Sequence, residues 1–133
     1  MPDGPVIPDE IRAFLDAPRF ATIATLDDDG APWQAVVWFM REGDTLLINS
    51  RRERRWPRNL ERDGRAAIAV HDHEKLGHWV GLRGRAEVAR TGAGAVDDIA
   101  ALARRYGGDP EAFRGQDRIT FVVRIERTYE YWS

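Results

Sequence analysis

Asn49-Ser50-Arg51-Arg52-Glu53-Arg54-Arg55-Trp56-Pro57-Arg58-Asn59-Leu60-Glu61-Arg62-Asp63-Gly64-Arg65 is the stretch around which the chain is read. The apolar run before it, Thr45-Leu46-Leu47-Ile48, has the character of a strand. Pro57 marks a helix start, because its missing N–H would be unpaired in the first turn anyway. A strand end, two small polar residues and a helix N-terminus among guanidiniums suit an anion. The ligand expected here is a phosphate group carried by a cofactor. An Arg-rich helix can equally be a solvated face, and a polyanion is a third reading. The chain has formal net charge -2 and pI ≈ 5.9, whereas a nucleic-acid domain is usually basic overall. The positive charge is local, which suits a small anion.

Outward from this stretch the pattern is that of a β protein. Upstream, Pro8 to Leu15 reads as a short helix with Ile11, Phe14 and Leu15 on one face. Phe20 to Leu26 alternates with period two. Asp27-Asp28-Asp29-Gly30 is a turn, and Trp33 to Met40 is a second strand, apolar on both faces in its later half. Three consecutive strands joined by tight turns predict an antiparallel meander. Downstream, Gly64 ends the Arg-rich helix and Ala66 to Val70 forms a short strand. His78 to Val88 reads as one long strand, with Gly81 and Gly84 marking a bend or close approach. A helix follows from about Ala95 to Tyr106, and a last strand runs from Ile119 through Trp132. The fold class expected is mainly β, a closed antiparallel barrel with three short helices, which also removes exposed sheet edges.

The 133 residues correspond to one domain, spanning 1–133. The absence of cysteine excludes disulfides and thiolate metal sites. Met1 to Pro8 is polar and lacks the basic start and apolar core of a leader. No apolar run reaches the roughly 18 residues of a membrane span. A cytoplasmic location is expected. His71-Asp72-His73-Glu74, with His78, is read as a polar hairpin loop and not as a metal site. Ser50 and Ser133 are the two serines, and neither sits in a nucleophile elbow.

The order of these elements and several short signatures resemble the pyridoxamine 5′-phosphate oxidase-like split β-barrel family, the FMN-binding-like barrel. More narrowly they resemble its coenzyme F420 (deazaflavin) branch. Phe20-Ala21-Thr22-Ile23-Ala24-Thr25 with Asp29-Gly30-Ala31-Pro32 is similar to the family's first strand and Asp-Gly-x-Pro hairpin. Arg58-Asn59-Leu60-Glu61-Arg62-Asp63-Gly64-Arg65 resembles its Arg-Asn-Leu-x-x-Asp-Pro-Arg segment, and Gly84-Arg85-Ala86-Glu87-Val88 its Gly-x-Ala-x-Val strand. The chain departs from the pattern at Trp56, where deazaflavin-binding relatives often carry lysine. Arg54 or Arg55 is expected to supply that charge.

The resemblance implies a homodimer with the cofactor in a groove between subunits. Its phosphate would meet Asn49, Ser50, Arg54, Arg55, Arg58 and Asn59, with Trp56 beside them. Trp33, Gln34, Val36 and Trp79 would wall the ring. The implied reaction is hydride transfer from reduced F420 to a small, hydrophobic, unsaturated substrate, and no side-chain nucleophile is required. Tyr129, Tyr131 and His78 are possible proton donors that nothing in the sequence places, so no catalytic residue is assigned. FMN is the alternative cofactor, and a non-catalytic cofactor-binding protein the alternative role.

Overall fold

The alternation of Phe20 to Leu26 becomes β1 (Ala21–Leu26), with Ala21, Ile23 and Thr25 buried on one face. The computed structural model describes residues 5–132; the first four residues of the polar Met1 to Pro8 stretch, and Ser133, lie outside it. The other strands are β2 (Pro32–Val37), β3 (Met40–Glu42), β4 (Thr45–Arg51), β5 (Arg65–His71), β6 (His78–Thr91) and β7 (Arg118–Trp132). The helices are α1 (Asp9–Asp16), α2 (Arg55–Arg62) and α3 (Gly92–Arg105). All strand pairs are antiparallel, in one seven-stranded sheet of order β2-β1-β5-β6-β7-β4-β3.

The single strand expected from Trp33 to Met40 is in fact two, because Trp38 and Phe39 interrupt it. β2 and β3 lie at opposite edges of the sheet, yet only these two residues separate them. Three peptide steps reach at most about 11 Å, so the sheet has to curl until its edges face each other. No ladder joins those edges among the described residues, so the barrel is split and the expected closure is not reached. The break is held from the side by α3. The Phe39 N–H donates to Tyr106 Oη (3.2 Å), and Arg105 Nε donates to the Phe39 carbonyl (3.0 Å). Both backbone groups are thereby satisfied without a strand partner.

Inside the curl lie Ile23, Leu46, Ile48, Ile68, Val70, Leu82, Phe121 and Val123, all buried. An eight-residue helix such as α1 is not stable alone. Burial of Ile11 and Leu15 gives it about 3–6 kcal/mol in total. Arg105 then caps its C-terminus by donating to the carbonyls of Leu15, Asp16 and Ala17. The other two helices start earlier than the sequence indicated. α2 begins at Arg55, so Pro57 is its third residue, still within the turn whose N–H groups need no helical partner. α3 begins at Gly92.

Candidate functional site

The Arg-rich stretch leaves the end of β4 and turns back through α2, so the guanidiniums of Arg54, Arg55, Arg58 and Arg62 divide between two separate crevices. The helix is anchored by its apolar side. Trp56 is 5% exposed, tilted against Phe121 at 6.1 Å between centroids, and Leu60 is buried beside the same core. Asn59 is also buried, its Nδ2 donating to Thr25 Oγ1 (3.1 Å) and Asp27 Oδ1 (2.9 Å). These bonds fix the helix against the β1–β2 hairpin.

The first crevice, of about 610 Å³, lies between α2 and that hairpin and is lined by Asp27, Asp28, Asp29, Glu53, Arg55, Arg58, Asn59 and Arg62. Arg55 grips Asp27 with two bonds, Nε to Oδ1 at 3.0 Å and Nη2 to Oδ2 at 2.7 Å. That grip, followed by the Asn59 bond, holds the Asp27 carboxyl below its ordinary range. Arg62 pairs with Asp28 at 2.9 Å. Four carboxylates face three guanidiniums here, a formal balance of −1. An anion gains nothing from such a lining. Trp33 is drawn into the same system, with the Arg55 guanidinium 4.0 Å over its ring.

The second crevice, of about 210 Å³, opens between the end of β2, the end of β4 and α3, and among the described residues no carboxylate lines it. Its walls include Val36, Trp38, Asn49, Ser50, Arg54 and Trp56. It also holds a residue that the sequence reading passed over, Arg118, at the first position of β7. Arg118 is 6% exposed. Its Nε donates to Asn49 Oδ1 (3.0 Å) and its Nη1 to Gln116 Oε1 (2.7 Å), and the Phe113 ring lies 5.2 Å away. Both hydrogen-bond partners are neutral. Burial, followed by the like charges of Arg54 and Arg51, pulls its pKa down to about 10, with only Glu53 opposing them. A buried guanidinium surrounded by further positive charge is costly unless an anion completes it.

The expected site residues therefore divide. Asn49, Ser50, Arg54, Trp56 and Val36 come together with Arg118, whereas Arg55, Arg58 and Asn59 belong to the acidic crevice. Gln34 is exposed on β2. Trp79 lines neither; it stands on β6 with its ring edge toward Tyr129 at 5.7 Å and near Tyr131 at 6.2 Å. Arg118 escaped notice because an arginine opening a strand looks like any polar strand boundary. The rings of His71 and His73 meet edge to face at 5.2 Å, and among the described residues no three acidic, histidine or cysteine groups converge as metal ligands.

Comparison with known proteins adds the following. The family profile described as pyridoxamine 5′-phosphate oxidase matches residues 7–132. A solved F420 reductase is 25% identical over 97% of this chain and 98% of its own, with TM-score 0.77. The heme storage protein HutZ from Vibrio cholerae is 19% identical over 94% of both chains, with TM-score 0.75. A protein from Listeria innocua described as a pyridoxamine 5′-phosphate oxidase is 16% identical over 92% of this chain and 95% of its own, with TM-score 0.71. The latter two likenesses concern the fold alone. No curated protein matches the sequence.

Proposed function

This chain belongs to the pyridoxamine 5′-phosphate oxidase family, and on that premise we propose that it is an oxidoreductase that binds coenzyme F420, with FMN as the alternative, by its phosphate at Arg118. The observation that carries this reading is the buried Arg118 guanidinium without a carboxylate partner, in a crevice that Arg54 makes more positive still. The residues fit the group. Arg118 and Arg54 would receive the phosphate oxygens, Ser50 stands beside them, and Trp38 and Trp56 supply apolar walls. When bound, the deazaflavin supplies hydride transfer to an electron-poor double bond. The chain's part is to orient the ring from the phosphate handle and keep its surroundings dry. The ring would extend past Val36, which is 71% exposed on β2.

The outer sheet face supports a homodimer in the same reading. Val36, Thr22, Ala69 and Gly81 stand opposite one another in register across β2, β1, β5 and β6. Their side chains are small, and the Tyr129 ring closes the row by lying over Gly81, where an added Cβ would fall 2.1 Å from the ring. A side-chain-poor strip of this kind suits a second copy, which would complete the groove for a small hydrophobic substrate.

Titration with F420, FMN and heme, read by tryptophan fluorescence, tests the reading. F420 is expected to bind the parent, Arg118→Ala to lose about 1.5–3 kcal/mol of that affinity, and Arg55→Ala to bind as the parent does. Equal binding by Arg118→Ala, or a parent that takes heme and neither cofactor, would overturn it. Oxidation of reduced F420 across a panel of quinones and enones then tests turnover.

A further inference from the structure

Arg118 is the inner end of a buried chain of hydrogen bonds that crosses the protein to α3. Its Nε donates to Asn49 Oδ1 at 3.0 Å. Asn49 Nδ2 donates to Thr120 Oγ1 (2.7 Å) and to the Ala95 carbonyl (2.8 Å). Thr120 Oγ1 in turn donates to Asp98 Oδ2 at 2.7 Å, and Arg90 Nε donates to the same carboxylate oxygen at 2.6 Å. Thr120 is fully buried, and Asn49 and Arg118 are each more than nine-tenths buried. Only the Arg90–Asp98 end meets solvent appreciably.

The polarity of this chain follows from its chemistry. A carboxylate only accepts, so the Thr120 hydroxyl proton is committed to Asp98. The hydroxyl oxygen then faces Asn49 as an acceptor, and so does the Ala95 carbonyl. Asn49 has to present its amide protons to both of them, which leaves its Oδ1 toward Arg118. Reversing the amide would set two acceptors against Oδ1 and two donors against each other at Nε. Each bond polarises the next in such a low-dielectric interior. Asp98 is also the carboxylate at which the chain of bonds from the Arg118 guanidinium ends.

We propose that Thr120 and Asp98 are positioning residues for the phosphate site: acting through Asn49, they fix the plane of the Arg118 guanidinium. The proposal rests on the reading of Arg118 as the phosphate contact, and it makes Asp98 of α3 part of the binding site without touching the ligand.

The probe is inorganic phosphate, with the Arg118 Nε–Hε signal followed by 15N NMR and identified by its loss in Arg118→Lys. In Thr120→Val the signal is expected to broaden or shift and phosphate affinity to fall roughly tenfold, the equivalent of about 1.4 kcal/mol. Thr120→Ser, which keeps the hydroxyl, is expected to restore both. Arg90→Ala, which removes the surface pair but keeps the carboxylate, is expected to leave the signal in place. If Thr120→Val does not fold, the near-isosteric Asp98→Asn takes its place, with the same readouts and a smaller shift in the same direction. An unchanged signal with parent-like phosphate affinity in the broken variant overturns the proposal. Should the parent bind no phosphate, the cofactor reading is what fails, and the signal alone decides positioning: lost in Thr120→Val it supports the relay, retained it sinks it.

Discussion

Arg118 and Arg55 show how differently two arginines of one protein can be used. Arg55 is more than half exposed and paired with Asp27, an arrangement that solvent screens. Arg118 is buried against neutral partners, and folding works against its charge. Its pKa is lowered from 12.5 to about 10, so the destabilisation is fully present below about pH 10 and relieved as pH rises beyond it. Arg118→Met removes that burden, though it also takes the Arg118 donor away from the buried Asn49 Oδ1 and the half-buried Gln116 Oε1. The variant is expected to be more stable than the parent by about 1 kcal/mol at pH 7, read as a higher Tm in calorimetry. It is also expected to lose phosphate binding, and the stability advantage should shrink as the pH is taken through 10. A lower Tm at neutral pH would show that Arg118 holds the fold and not a ligand. At this scale the sequence was a poor guide. The charge run of 51–58 was visible, but which guanidiniums face acids and which face one another was not, because Asp27, Gln116 and Arg118 reach the helix only through the fold.

Among elements, those with a clear period were legible. Ala21 to Leu26 alternates and is a strand; Val96, Ile99, Leu102 and Ala103 recur at helical spacing and α3 follows. The break at Trp38–Phe39 was not legible, since Val36 to Met40 is uniformly apolar and has no period to interrupt. Gly84, read as a bend or close approach, is one. The β6–β7 register shifts between Arg83 and Gly84, and a Cβ at Gly84 would stand 2.1 Å from the Arg124 carbonyl oxygen. That oxygen is backbone in the longest strand pair and cannot swing aside. Gly84→Ala is therefore expected to cost about 2 kcal/mol in chemical denaturation. A loss well under 1 kcal/mol would mean that the bulge migrates freely.

The whole molecule is an open sheet, curled until its two edges approach through a three-step connection, and on its outer face Ala69 is exposed and Thr22 half-buried. Thr22, Ala24, Ala67 and Ala69 are too small to cover the strands beneath them. In the dimer proposed above, Ala69→Glu would bury a carboxylate from each copy in that face. The expected result is a monomer in analytical ultracentrifugation, with a parent dimer as reference and cofactor affinity reduced in parallel. A variant that stays dimeric would place the interface elsewhere. Among the described residues no helix is long and apolar enough to cross a membrane.

By itself the sequence determined the local facts: strands where apolar residues alternate, helices where they recur every third or fourth position, turns at Asp-Gly and Gly-Asp, and an excess of guanidinium after β4. These are properties of neighbours along the chain, and periodicity reports them directly. Tertiary structure decided which arginine is buried without an acid beside it. That outcome depends on residues 69 positions apart, Asn49 and Arg118, meeting across β4 and β7 while Asp27 claims Arg55 from the other side. Charge neutralisation acts over a few ångströms in space, and no spacing along the chain encodes it.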